Sequence, residues 1–178
     1  MTNRSMKNKR DYADRHRYEL VVAHGKGVID ESRPAAWSKF LALRQHLPRF
    51  DYLFFMDVDT LIMNDEIKLE DLVARDGGGI GGGKGGELII SEDWNGVNTG
   101  VFGLKNSDWS LWFLEEAWGE AGSEQEHMAL HEKSRSGVPY PFEYEQRAVH
   151  YLLQTDVWRQ RGLPVYKGGR GPLWEHVK

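Results

Sequence analysis

The chain contains no cysteine, which excludes a disulfide framework and any chemistry that needs a thiolate. It also contains no apolar run of about 20 residues, the length that a transmembrane helix requires. Positive charge is in slight deficit, because the formal net charge at pH 7 is −4. Domains that bind nucleic acid are usually basic, and we therefore expect no nucleic-acid partner.

The residues that are present are typical of one globular domain. The chain has 178 residues, of which 40% are hydrophobic and 28% charged, enough for a sizeable core. Apolar patterning predicts strands over 20–23, 52–56, 88–90 and 101–104, and helices over 6–18, 34–48, 108–118, 124–134 and 144–154. This mixture predicts an α/β fold. The continuous apolar run Tyr52–Met56 predicts a strand buried on both faces, as in a parallel sheet.

Asp57-Val58-Asp59 directly follows that run. Side chains alternate along an extended backbone, so both carboxylates are expected on the same side. Ligands bind at the carboxyl ends of strands in open α/β sheets, and paired carboxylates suit Mn²⁺ or Mg²⁺. Such a cation can neutralise a diphosphate leaving group. The alternative interpretation is a solvated turn in which two acidic residues meet by chance.

A second polar cluster spans residues 93–100 and contains groups that hydrogen-bond sugar hydroxyls next to the aromatic ring of Trp94. Asn95-Gly96 is equally typical of a hairpin turn, and the pattern leaves both interpretations open. A third candidate, Glu145-Gln146, begins a predicted helix. An acidic residue is expected in that position for the helix dipole alone.

Six segments together resemble, in order along the chain, the motifs of glycosyltransferase family 34. This family contains fungal α-galactosyl- and α-mannosyltransferases and plant xyloglucan xylosyltransferases. The segments are Asn8–Tyr18, Trp37–Lys39, Phe55–Asn64, Asp93–Phe102, Glu145–Gln146 and Pro172–His176. One departure is Arg17, which stands where the family has glycine.

The resemblance implies a GT-A-like fold with a mostly parallel central sheet, and retaining transfer of a hexose or pentose from a nucleotide-sugar donor to a glycan acceptor. It also implies Mn²⁺ or Mg²⁺ as cofactor. The implied metal ligands are Asp57, Asp59 and His176. The implied catalytic residues are Glu145, Gln146 and Asp93, and the implied substrate-binding residues are Lys39, Trp94, Asn95, Asn98, Thr99 and Gly100.

The resemblance further implies a type II membrane protein of the Golgi lumen, attached to the membrane through a segment absent from this chain. The family has a nucleotide-binding strand before its first motif and a lysine after its last. Residues 1–178 are therefore expected to form a single glycosyltransferase domain that is truncated at both ends and lacks its first strand.

Two other interpretations of the sequence remain open. A haloacid-dehalogenase-like phosphatase also has an Asp-x-Asp motif after an apolar strand, with the first acid as nucleophile. That motif places threonine two residues after the second aspartate, where this chain has Leu61. The other interpretation is a sugar-binding remnant without catalytic activity.

Overall fold

The computed structural model describes residues 2–24, 28–31, 33–74, 86–93, 96–119 and 145–154. Within these residues the helices and strands follow in the order α1 (Thr2–His16), α2 (Ser38–His46), β1 (Tyr52–Met56), α3 (Leu69–Ala74), β2 (Leu88–Asp93), β3 (Gly96–Lys105), α4 (Asp108–Trp118) and α5 (Glu145–Gln154). The helix expected over 124–134 lies outside the described residues.

Local sequence signals set the ends of α4. The Ser107 side chain accepts a hydrogen bond of 3.1 Å from the Ser110 amide, as a helix N-cap does. At the other end Gly119 adopts a left-handed φ of 82°, and its amide donates to the carbonyls of Glu115 and Glu116. Glycine adopts this conformation without the steric strain that a Cβ would bring, so the helix stops there.

The three described strands form an antiparallel sheet in the order β1-β3-β2. β1 pairs with β3 from Tyr52↔Lys105 to Met56↔Val101, and β2 pairs with β3 as far as Asp93↔Gly96. The α/β composition agrees with the prediction, but these strands do not have the predicted parallel arrangement. Residues 94 and 95 alone join β2 to β3, and a parallel connection would need a dozen residues or more.

Two expectations about strand burial and position are wrong. All five residues of β1 are half-buried instead of fully buried. Leu53 and Phe55 pack against the core, but β1 also lines an open groove of about 470 Å³ beside α1 and α2. Residues 20–23 form no regular strand and line the same groove. No described strand hydrogen-bonds to them, and β propensity without a partner strand does not make a strand.

The hydrophobic core lies between the sheet and the helices α2, α4 and α5. Its largest fully buried side chains come from all of these elements and include Phe40, Leu88, Leu104, Phe113 and Leu153. This packing brings the first turn of α2 and the first turn of α5 close to the middle of β3. None of the described helices is both long and apolar enough to cross a bilayer.

Candidate functional site

Asp57 follows the last residue of β1 and is held by backbone contacts on both sides. Its amide donates to the Gly100 carbonyl at 2.7 Å, and its own carbonyl accepts from the Thr60 amide at 3.2 Å and the Thr60 hydroxyl at 2.7 Å. Val58 and Asp59 therefore lie in a tight turn. The expectation that the two aspartates share one side of an extended strand is wrong, because the chain turns directly after Asp57.

A buried lysine connects Asp57 to the helix α5. The Lys39 ammonium lies 2.5 Å from a Glu145 carboxylate oxygen and 3.3 Å from Asp57 Oδ1. The side chains of Lys39 and Glu145 are only 4% and 8% exposed, whereas that of Asp57 is 41% exposed. Lys39 also lies over the Phe55 ring, 4.6 Å from its centroid. The network is therefore buried behind Asp57, and the Asp57 carboxylate is its solvent-facing end.

An irregularity in β3 supplies the remaining polar contacts. Pairing with β2 jumps from Ile90↔Phe102 to Ser91↔Asn98, so residues 99–101 bulge out of the ladder between these two strands. The Thr99 amide donates instead to Gln146 Oε1 at 3.1 Å, and the Thr99 carbonyl accepts from Lys39 at 3.2 Å. Bulges of this kind often occur next to active sites, where they redirect backbone groups.

The buried Thr99 side chain completes the link between β3 and α5. Its hydroxyl donates to Glu145 Oε1 at 3.0 Å, the same oxygen that the Lys39 ammonium contacts. Glu145 thus has two donors although it is buried. A buried carboxylate needs such partners, because burial removes its hydration.

Asn98 and Gly100 lie on the solvent side of the bulge. The Asn98 amide group donates to Asp93 Oδ2 at 2.7 Å and accepts from the Gly100 amide at 2.8 Å. A Cβ atom at position 100 would lie 3.2 Å from Asp57 Oδ2 and 3.0 Å from Asn98 Oδ1. Glycine therefore permits the Asn98 side chain and the Asp57 carboxylate to lie close to the backbone of residue 100. The sequence left a hairpin and a sugar site open at Asn95-Gly96, and the antiparallel pairing of β2 with β3 as far as Asp93↔Gly96 agrees with the hairpin interpretation.

The electrostatic environment of Asp57 is mixed. Burial raises the pKa of its carboxyl group above the ordinary value, and the nearby charges of Glu145 and Asp59 act in the same direction. The Lys39 ammonium opposes this shift through its charge and its hydrogen bond.

The sequence patterns assign no functional role to two residues beneath the turn. Ser5 and Lys9 are buried on α1 and contact the backbone just beyond Asp57. Burial lowers the pKa of the Lys9 ammonium, while the carboxylates of Asp59 and Asp57 oppose that shift. The spacing of four residues between Ser5 and Lys9 places both on one helix face. This spacing is a signal that the sequence did contain.

The described residues contain no group of three or more His, Cys, Asp or Glu side chains that could hold a metal ion. Asp57 and Asp59 supply two carboxylates, and Asp59 is exposed. Hard oxygen ligands of this kind fit Mn²⁺ or Mg²⁺ with further ligands from elsewhere. The expected ligand His176 and the expected substrate-binding residues Trp94 and Asn95 lie outside the described part of the chain. Their roles stay predictions.

The sequence is similar to several sugar transferases. It is 26% identical over 176 residues to Galactomannan galactosyltransferase 1 of Cyamopsis tetragonoloba, covering 89% of this chain and 38% of that protein. It is 29% identical over 180 residues to Probable alpha-1,6-mannosyltransferase MNN10 of Saccharomyces cerevisiae, covering 86% and 43%. Xyloglucan 6-xylosyltransferase 1 of Arabidopsis thaliana is 28% identical over 174 residues, covering 93% and 37%. The chain thus spans less than half the length of these relatives.

The fold is similar to that in the crystal structure of a glycosyltransferase involved in the glycosylation of the major capsid of PBCV-1. The TM-score is 0.56 at 14% sequence identity, and the match covers 84% of this chain and 67% of that one. This likeness confirms the α/β glycosyltransferase fold. The sequence model of glycosyltransferase family 34, the galactosyl transferase GMA12/MNN10 family, matches residues 1–76 and 82–163. The predicted resemblance is confirmed, and the chain belongs to this family.

Proposed function

We propose that the protein is a retaining glycosyltransferase that moves a hexose or pentose from a nucleotide-sugar donor to a glycan acceptor. Family membership supports the reaction class, because the relatives are named for transfer of galactose, mannose or xylose. It favours this reaction over phosphatase chemistry. The same resemblance is our reason to place the protein in the Golgi lumen.

The observation that carries the proposed site is the half-exposed Asp57 carboxylate, which lies beside Asp59 and in front of a buried network. Asp57 and Asp59 would hold Mn²⁺ or Mg²⁺, with His176 as a third ligand. When bound, the cation supplies positive charge that neutralises the diphosphate of the donor. Lys39 fixes the orientation of Asp57, and Glu145 in turn fixes Lys39.

The donor sugar would lie along the outer side of the β3 bulge. Asp93 is exposed, and Asn98 orients its carboxylate through the 2.7 Å hydrogen bond. Gln146 uses its carbonyl oxygen to bind the Thr99 amide, which leaves its NH₂ group pointing away from that hydrogen bond. In the proposed site Asp93 and Gln146 bind sugar hydroxyls. Glu145 is buried and acts through Lys39 instead of touching the substrate.

Calorimetry with Mn²⁺ and a nucleoside diphosphate tests the site directly. The protein should bind the two ligands with positive coupling, because each supplies charge that the other needs. Asp59→Ala should abolish this coupling. Asp11→Ala is the matched control, since Asp11 is an exposed aspartate of α1 that pairs with Lys7 on the same helix. Equal binding by the wild type and Asp59→Ala would reject the site.

Turnover assays separate the reaction classes. The nucleotide-sugar donor should be hydrolysed slowly or transferred to an oligosaccharide, while a simple phosphate monoester should remain intact. Fast hydrolysis of p-nitrophenyl phosphate that Asp57→Asn abolishes would favour a phosphatase, in which Asp57 would be the covalent nucleophile. Binding of an oligosaccharide without any turnover would indicate a sugar-binding protein.

A further inference from the structure

The segment that carries Asp59 leaves the sheet and needs other partners for its backbone. Pairing between β1 and β3 ends at Met56↔Val101, followed by the contact between the Asp57 amide and the Gly100 carbonyl. Beyond this point residues 58–62 belong to no described strand. Backbone groups that are shielded from water are nearly always hydrogen-bonded. The partners here come from side chains of α1.

Val58 and Thr60 are held from one side of α1. The Ser5 hydroxyl contacts both the Val58 carbonyl and the Thr60 carbonyl, the latter at 3.0 Å. The Lys9 ammonium donates to the Thr60 carbonyl at 2.5 Å and to the Ser5 hydroxyl at 2.8 Å. Ser5 and Lys9 are 3% and 5% exposed, so these contacts are shielded from water.

Ile62 is held by a paired contact. The Asn8 side chain donates to the Ile62 carbonyl at 3.0 Å and accepts from the Ile62 amide at 2.7 Å. A side-chain amide that satisfies both backbone groups of one residue fixes the position and the orientation of that residue. This arrangement imitates the pairing that a neighbouring strand would provide.

The carbonyls of residues 58, 60 and 62 thus all face α1. Asp59 lies between two anchored residues, while its own side chain is exposed. The backbone on both sides of Asp59 is therefore fixed by the helix, and the carboxylate is presented to solvent.

We infer that α1 is a positioning element of the candidate metal site, in which Ser5, Asn8 and Lys9 set the placement of the Asp59 carboxylate relative to Asp57. This inference rests on the proposed metal-binding function. It assigns a role to the Asn8-Lys9 segment, which the proposed chemistry itself does not use. The three residues do not touch the cation and act only through the turn.

Asn8→Ala gives the sharpest test, because it removes both contacts with Ile62 and changes no charge. Removal of a residue that orients a metal ligand typically weakens metal binding 10- to 100-fold. We expect the Mn²⁺ dissociation constant of Asn8→Ala, measured by calorimetry, to rise by about tenfold. Ser5→Ala is a second, smaller change that should act in the same direction.

Two controls on the same helix distinguish positioning from stability. Asn3→Ala removes an identical side chain at an exposed position and should bind Mn²⁺ like the wild type. Ala13→Gly weakens α1 at a buried residue whose methyl group makes none of the hydrogen bonds that hold residues 58–62, so it should lower the unfolding temperature without changing Mn²⁺ affinity.

Unchanged affinity in both Asn8→Ala and Ser5→Ala, together with tight binding by the wild type, would overturn the positioning role alone. An equal loss of affinity in Ala13→Gly would also overturn it, because general destabilisation would then explain the effect. Absence of Mn²⁺ binding by the wild type would overturn the metal site and the positioning role together.

Discussion

Replacing Lys39 with methionine should destabilise the protein strongly, because it leaves the Glu145 carboxylate buried without its cationic partner. The ion pair is 2.5 Å long, and both side chains are less than 10% exposed. Removing one member of a buried pair typically costs about 3–5 kcal/mol of unfolding free energy. A domain has roughly 5–15 kcal/mol in total. Urea unfolding of Lys39→Met at pH 7 should therefore show a large fraction of the stability lost.

The double variant Lys39→Met/Glu145→Gln isolates the interaction. The double variant has no buried carboxylate left without a cationic partner. Its loss of unfolding free energy should therefore be smaller than the sum of the losses in the two single variants by about 1–3 kcal/mol.

Lys7→Met provides the matched control, since the Lys7–Asp11 pair has side chains 76% and 60% exposed. Exposed pairs contribute only about 0–1 kcal/mol, so this variant should unfold almost like the wild type. If Lys39→Met lost no more stability than Lys7→Met, the buried pair would not hold α2 to α5. The account of the network behind Asp57 would then be refuted.

Two further predictions concern Asp57 and its neighbour. The raised pKa of Asp57 means that the folded protein loses stability as the pH rises through the folded-state pKa. In urea unfolding at pH 7, Asp57→Asn should therefore be more stable than the wild type, and this difference in stability should vanish as the pH falls toward 3.8, the ordinary pKa of the group. Lower stability of Asp57→Asn at pH 7 would contradict this reasoning. Gly100→Ala places a Cβ 3.2 Å from Asp57 Oδ2 and should weaken Mn²⁺ binding about tenfold, with an unchanged circular dichroism spectrum. If the variant bound Mn²⁺ with wild-type affinity, the Asp57 carboxylate would adapt to the added methyl group.

The sequence was sufficient to predict the features that depend on neighbouring residues. The strand Tyr52–Met56 and the helix Asp108–Trp118 have the predicted bounds, because short apolar runs and helical spacing act locally. The placement of Asp57 at the end of β1 follows from the same run. The motif resemblance correctly selected the family, since it compares six separate segments in order.

Features that depend on distant contacts could not be predicted. Residues 20–23 have the composition of a strand, but a strand also needs a partner that composition does not reveal. One apolar run and the family resemblance predict a mostly parallel sheet, whereas the antiparallel pairing of β2 with β3 follows from the short connection between them. The bulge at Thr99 gives no signal in single-residue propensities. The bulge becomes apparent only in the structure, where the side chains of Lys39 and Gln146 bind the Thr99 backbone in place of a neighbouring strand.

The position of Thr99 between two helices has a consequence for how the site comes into existence. Lys39 and Glu145 meet across 106 positions of sequence, and closing so long a loop costs chain entropy before any contact compensates for it. Local structure around Asp57 can form early, yet Thr99 acquires its partners only when both helices have docked. The proposed chemistry is therefore tied to completion of the tertiary fold, and a chain with its two aspartates in place but α5 undocked would have the proposed metal ligands without the geometry that the proposed reaction needs.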